Sequence, residues 1–356
     1  EDLRVSCNVF YSSSTNRLLV MASKYADLSD EEKAEKAEEM QELIHKMEKE
    51  VQKGYIGQED VIHKILLCVA AGGNILLEGV PGLGKSFLVE TLARVVDGTE
   101  MHRIQFTPDK LPSDIVGTEA YNEDKGFYVE KGPIFGNFIL ADEINRAPPK
   151  VQSAMLEAMQ EHKVSIGDET FSLPEPFFTM ATQNPVEQGG TYPLPEAQID
   201  RFLFKIYLDY PKKHNEQKII DMNANIQDMD DFDVGAVVTE EDVLNIQEFA
   251  KVVTVRDEIK AYIVDLVDAS RNPEDYGMEY SDYIDWGCTP RASINLALAG
   301  RANAMYNGRH YVTPEDIRAV IHDVFVHRII LNYEGEAQGL EIDDVIENIV
   351  DRVPVR

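Results

Sequence analysis

The segment Gly79-Val80-Pro81-Gly82-Leu83-Gly84-Lys85-Ser86 constrains this chain more than any other stretch. Glycines at 79, 82 and 84 supply backbone freedom, and a Lys-Ser pair directly after the last one completes a G-x-x-x-x-G-K-S loop. Such a loop needs a buried strand before it and a helix after it. Both are predicted: Ile75-Leu76-Leu77 reads as a strand, and a helix is expected from Lys85. In this arrangement backbone N–H groups turn toward phosphate oxygens, and the helix N-terminus adds positive potential. The expected nucleotide contacts are Gly79, Pro81, Gly82, Leu83, Gly84, Lys85, Ser86 and Phe87. Lys85 should reach the β and γ phosphates, and Ser86 should ligate magnesium. ATP and Mg2+ are therefore the expected cofactors.

A loop of this kind works with a carboxylate at the end of a neighbouring strand. Phe138-Ile139-Leu140-Ala141-Asp142-Glu143 supplies one. Asp142 is expected to hold the metal with Ser86, and Glu143, one residue further on, to polarise the attacking water.

The surrounding pattern alternates short apolar strands with helices. Strands are expected at 75–77, 104–106, 138–141 and 177–181, with helices from Lys85 and at 151–160. That alternation predicts an α/β fold with a parallel sheet between helices. Upstream, Ser29 and Glu32 form a capping box for a helix with Met40, Leu43, Ile44, Met47 and Val51 on one face, and Gly54 stops it. A second helix is expected from Gln58 to about Ala70. After Tyr210-Pro211 comes a helix carrying Ile219, Ile220 and Met222, then an acidic stretch at 228–233 that reads as a linker. Beyond it the chain reads as helical, with starts near Thr239, Val255, Pro290 and Thr313-Pro314. The expected organisation is 1–20 as a non-native or disordered extension, 21–53 as an N-terminal helix, 54–227 as the α/β nucleotide-binding domain, and 228–356 as a small all-α lid. Met21-Ala22-Ser23 reads as a natural start.

Composition narrows the function classes. The formal net charge is −30, and an acidic surface repels phosphate backbones, which argues against a nucleic-acid motor. A high-salt cytoplasm, where screening tempers self-repulsion, is a second reading of that charge. Cys7, Cys68 and Cys288 are scattered, without a Cys-x-x-Cys pair, so neither a disulfide framework nor a zinc site is suggested. No apolar run reaches the roughly 20 residues needed to span a bilayer. A soluble, cytoplasmic protein is expected.

From about Gly54 to the C-terminus the chain resembles the MoxR family of AAA+ ATPases. Ile56-Gly57-Gln58 resembles the segment beside the adenine, and Asp142-Glu143-Ile144-Asn145-Arg146-Ala147 with Lys150 resembles the family's extended Walker B. Ala181-Thr182-Gln183-Asn184-Pro185 is similar to sensor 1, which implies that Asn184 lies near the γ-phosphate and the attacking water. Leu194-Pro195-Glu196-Ala197-Gln198-Ile199-Asp200-Arg201-Phe202 resembles the arginine-finger segment, implying that Arg201 projects into the next subunit's nucleotide. Gly287-Cys288-Thr289-Pro290-Arg291-Ala292 resembles sensor 2, implying that Arg291 ties the small domain to the nucleotide. Residues 107–135 resemble the insert interrupting the second helix in this branch. Residues 163–173 read as a hairpin turning at Gly167-Asp168-Glu169, at the place of the family's hairpin before sensor 1. Its tip is acidic where nucleic-acid motors of the branch carry basic residues.

The resemblance implies a homohexameric ring, a partner bearing a von Willebrand factor A domain, and chaperone-like remodelling or assembly of protein clients. A nucleic-acid translocase, a metal-chelatase motor subunit, and a nucleotide-dependent switch with little turnover stay open as alternatives. Roles for Arg146 and Lys150, toward a neighbour's nucleotide or toward a pore, also stay open.

Overall fold

The computed structural model describes residues 23–80, 82–124, 126–185, 190–223 and 232–355. The expected extension at 1–20, Pro81, residues 228–231 of the acidic linker and the 227/228 domain boundary lie outside them.

Helix α1, Asp30–Gly54, starts where its cap chemistry dictates: the Glu32 amide donates to Ser29 Oγ at 3.3 Å, and the Ser29 amide donates to Glu32 Oε2 at 2.8 Å. Its stripe of Met40, Ile44, Met47 and Val51 is buried. Helix α2, Glu59–Ala70, follows. The α/β domain then runs through β1 Ile75–Gly79, α3 Lys85–Val95, the short β2 Val96–Asp97 and β3 Met101–Gln105. The inserted region holds α4 Ser113–Val116 and a hairpin of β4 Gly117–Asn122 with β5 Gly126–Lys131, an element the sequence reading did not anticipate. Next come β6 Phe138–Asp142, α5 Pro149–Glu161, the expected hairpin of β7 Lys163–Ile166 with β8 Glu169–Ser172, β9 Phe178–Gln183, α6 Glu196–Ile199, β10 Phe204–Leu208 and α7 Lys213–Asn223.

The central sheet has the order β10-β1-β9-β6-β3, and every pair in it is parallel. Both faces are covered, which is why β1, β6 and β9 read as nearly unbroken apolar runs. Ile75, Leu77, Phe138, Leu140 and Met180 pack toward α1, α2, α3 and the lid. Leu76, Ile139 and Ala181 face the α5 side, against Val151, Met155 and Leu156. The edge strand β10 is missing from the sequence expectations. Its lysine is neutralised by a neighbour: Lys205 Nζ pairs with Glu78 Oε2 at 2.7 Å.

The C-terminal lid is helical, with α8 Glu240–Ala250, α9 Asp257–Arg271, α10 Pro290–Tyr306, α11 Pro314–Phe325, α12 Tyr333–Ala337 and α13 Ile342–Arg352. Two short ribbons join it: β11 Val238–Thr239 pairs with β2, and β12 Ile284–Trp286 pairs with β13 Ile330–Leu331. Capping boxes at Thr239/Asp242 and Thr313/Asp316 fix the starts of α8 and α11. The lid is stapled to the core. Buried Arg328 bonds Asp200 Oδ1 at 2.7 Å and the Asp200 and Phe202 carbonyls at 2.9 and 2.6 Å, and Lys64 on α2 pairs with Asp323 on α11 at 3.0 Å. Helix α1 lies across the junction, packing on α3 and on α10, with Gln41 Nε2 donating to the Tyr306 carbonyl at 3.0 Å.

Candidate functional site

At the carboxyl end of β1 the chain must leave the sheet tightly. A Cβ on Gly79 would sit 2.8 Å from Leu208 Cβ and 2.9 Å from its carbonyl oxygen, so only glycine fits there. Gly84, in the left-handed region at φ 73°, turns the loop into α3. No side chain caps α3 and its first turn holds no acidic residue, so its amides and dipole face outward. Tyr55 braces the loop from beneath. Its hydroxyl donates to the Leu83 carbonyl at 3.0 Å and bonds Gln58 Oε1 at 2.7 Å, and burial pushes its pKa up to about 12. Gly57 lies alongside, with Asn215 Nδ2 donating to its carbonyl at 3.3 Å, while Phe87 stacks edge-on against Phe232 at 4.9 Å.

Lys85 Nζ donates to the Gly79 carbonyl at 2.8 Å. Burial lowers its pKa, against the raising influence of Asp142, Glu143 and Glu78. A half-buried ammonium facing three carboxylates within a loop of open amides is a site for an oxyanion that returns the desolvation cost.

The carboxylates come from the strand two places away. Asp142, 8% exposed, ends β6 and accepts from Thr182 Oγ1 at 2.8 Å and from Arg103 Nη2 at 2.5 Å. Glu143 follows in the left-handed region at φ 57°, unusual for a residue with a Cβ, and its amide donates back to Thr182 Oγ1 at 2.8 Å. That turn aims the carboxylate into a donor pair: Gln105 Nε2 at 3.0 Å and Arg146 Nη1 at 2.8 Å, both on Glu143 Oε2. Strand β9 lies between β1 and β6, so buried Asn184, one residue past its end, falls between the loop and the carboxylates.

The described loop residues 79, 80 and 82–87, with Asp142, Glu143 and Asn184, thus gather at the carboxyl ends of three adjacent parallel strands, where open α/β sheets bind ligands. Ser86 and Asp142 form an oxygen-only donor set that suits Mg2+ completed by phosphate oxygens and water. Sequence reasoning missed Thr182, Arg103, Gln105 and Tyr55. Thr182 stood inside the quoted sensor 1 segment, and Arg103 and Gln105 show the two-residue spacing of one strand face.

Arg201 and Arg291 lie elsewhere. Arg201 precedes β10, whose first residue Phe204 pairs with Ile75, the first residue of β1. It is therefore at the amino end of the sheet, separated from the phosphate loop by the five residues of β1, about 17 Å of strand. Arg201 Nη1 donates to the Leu156 carbonyl at 3.2 Å. Arg291 opens α10 at the same end, with Nη1 3.1 Å from Asp200 Oδ2, which also accepts from Thr289 Oγ1 at 3.0 Å. The Asp200 clamp holds Arg291 beside Arg201, around a cavity of about 1120 Å³ that both arginines line.

Phosphate loop, strand-end carboxylates, buried Asn184 and helical lid on a five-stranded parallel sheet define an AAA+ module. The pattern described as "ATPase family associated with various cellular activities" matches residues 74–204, and the AAA lid domain pattern matches 279–349. Chaperone MoxR1 of Mycobacterium tuberculosis is 44% identical over 322 residues, covering 89% of this chain and 84% of the relative. Protein MoxR of Methylorubrum extorquens is 29% identical, covering 87% and 94%. The crystal structure of a candidate ATPase from Cytophaga hutchinsonii superposes with a TM-score of 0.85 at 49% identity, covering 90% of this chain and 97% of that one. This chain belongs to the MoxR family of AAA+ ATPases.

Proposed function

We propose that the protein binds Mg-ATP at the loop 79–86 and hydrolyses it to drive remodelling or assembly of protein clients. The observation that carries this reading is the gathering of Lys85, Asp142, Glu143 and Asn184 at three adjacent strand ends. On binding, Lys85 exchanges the Gly79 carbonyl for the β and γ phosphates, and the α3 amides take the remaining phosphate oxygens. Ser86 and Asp142 would hold Mg2+, which would supply charge neutralisation for the bound phosphates. Glu143 orients and polarises the attacking water, and for this its carboxylate has to leave the Arg146 and Gln105 donors. Asn184 donates to the water or the γ-phosphate, and Ile56 and Gly57 border the adenine.

Arg201 and Arg291 serve a neighbour. Their shared position at the opposite end of the sheet favours delivery in trans, the two guanidiniums stabilising charge on the next subunit's γ-phosphate in a homohexameric ring. A von Willebrand factor A domain protein is the partner proposed from family resemblance, and the name "Chaperone MoxR1" of the mycobacterial relative is consistent with protein clients.

A protein client is also favoured over nucleic acid by the two hairpins. Asp168 and Glu169 sit at the β7–β8 turn, and exposed Tyr121 and Phe127 pair edge-on at 5.2 Å on the β4–β5 hairpin. Phosphate backbones are repelled by such an acidic turn, whereas polypeptides are not.

The test is an ATPase assay joined to capture with Glu143→Gln, loaded with ATP, from native lysate. Phosphate release by the parent protein with recovery of a von Willebrand factor A protein supports the reading. Nucleic acid or replication and repair proteins in its place favours a translocase, and nucleotide binding without turnover by the parent favours a switch.

A further inference from the structure

The cavity beside Arg201 and Arg291 carries a feature that neither arginine explains. Trp286, the single tryptophan of the chain, lines it and is 67% exposed. A large aromatic left in water at a cavity mouth is an unmet interaction surface, and tryptophan and arginine are the residues that most often dominate interfaces.

Its presentation is built into the fold. The β12–β13 register shifts between Ile284 and Trp286, which re-aims the side chain. The next residue is pinned: a Cβ on Gly287 would lie 2.2 Å from the Ser270 carbonyl oxygen. Cys288 is held from both sides, its amide donating to Ser270 Oγ at 2.9 Å and its carbonyl accepting from Arg271 Nε at 2.6 Å. Trp286 therefore stands on a rigid support a few residues from Arg291, so little ordering entropy is lost when it is covered.

Charge selects the occupant. Arg201 and Arg291 call for phosphates, yet Glu157, Glu161 and Glu196 line the same cavity and would repel a free polyanion. An occupant that brings phosphates together with cations satisfies both. The nucleotide-bearing edge of this chain is such a surface, since half-exposed Arg103 and Arg146 flank its carboxylates. We propose that Trp286 is the apolar anchor of the subunit contact, packing against the nucleotide-bearing edge of a second copy of this chain and holding Arg201 and Arg291 over its phosphates. This rests on the ATP-binding and ring reading given above.

Because there is one tryptophan, its emission reports this contact directly. Glu143→Gln with ATP and Mg2+ is diluted through its assembly range while emission and sedimentation are recorded together. The expected result is a blue shift that follows the sedimentation transition. Trp286→Ala in the same background should raise the half-assembly concentration about tenfold or more, and Trp286→Phe should restore it to within about threefold of the parent. Binding of a fluorescent ATP analogue to dilute, dissociated subunits should stay unchanged in Trp286→Ala. Assembly with unaltered emission, or normal assembly of Trp286→Ala, overturns the anchor and leaves the ring reading standing. No ATP-dependent assembly of any variant overturns both. Loss of ATP-analogue binding in Trp286→Ala but not in Lys85→Ala overturns the phosphate-loop assignment itself.

Discussion

Thr182 makes one hydroxyl serve two neighbouring acidic residues, donating to Asp142 Oδ1 and accepting from the Glu143 amide. Thr182→Val keeps the shape but leaves a buried carboxylate oxygen and an amide unpaired, a loss of about 1–3 kcal/mol each. In steady-state kinetics kcat should fall about ten- to hundredfold and the Mg2+ requirement should rise, while Thr182→Ser recovers most of both. Equal defects in Val and Ser variants would show that the methyl packing matters and the hydroxyl does not. Lys85→Ala should abolish ATP binding in equilibrium dialysis; near-normal turnover would refute the site. Glu143→Gln should bind ATP and hydrolyse it at least about a hundredfold more slowly, and rapid single-turnover hydrolysis would assign the water to another group.

Between elements, the junction of α2, α11 and α13 holds a chain of charges. His322 bonds Asp343 at 2.9 Å and approaches Asp323 at 3.5 Å, and Asp323 pairs with Lys64, itself 3.0 Å from Asp60. The Asp323 hydrogen bond raises the His322 pKa above 6.5, burial opposes it, and Asp343 adds to the rise. A raised folded-state value means that this contribution is complete below about pH 6.5 and fades as pH climbs through the folded value. Thermal melts of wild type and His322→Asn should differ most near pH 5.5 and converge toward pH 8.5. A gap that widens with pH would contradict the assignment. Legibility in the sequence follows the same division between local and distant. The caps of α1, α8 and α11 were readable because each needs only three neighbouring residues. Strand β10 was not, since Phe204–Leu208 becomes a strand only beside β1, more than a hundred residues earlier. The phosphate loop and its carboxylates were legible as spacing, whereas Thr182, Arg103 and Gln105 acquire meaning only once β3, β6 and β9 are aligned.

Across the whole molecule, Asp200 is where lid and core meet, bonded by Arg328, Arg291 and Thr289 from the lid. Arg328→Met removes the most buried of these cations and strands a carboxylate, so it should cost about 3–5 kcal/mol in urea unfolding. A loss under about 1 kcal/mol would mean that the clamp is dispensable. The net charge of −30 adds a diffuse repulsion, and thermal stability should climb between low salt and about 0.5 M KCl, beyond any specific anion effect. The placement of phosphate loop and paired arginines at opposite ends of one sheet carries a counting rule. On the proposed trans contact, surfaces at opposite ends of the sheet place one subunit's arginines on the next subunit's loop, a head-to-tail join in which an open arc has one more subunit than it has finished sites. Mixed rings then read out direction. On the proposed reading, a subunit lacking Lys85 should silence itself and a subunit lacking Arg201 should silence the one next door, and co-assembling the two in known proportions should distinguish adjacent from alternating defects by how much hydrolysis survives.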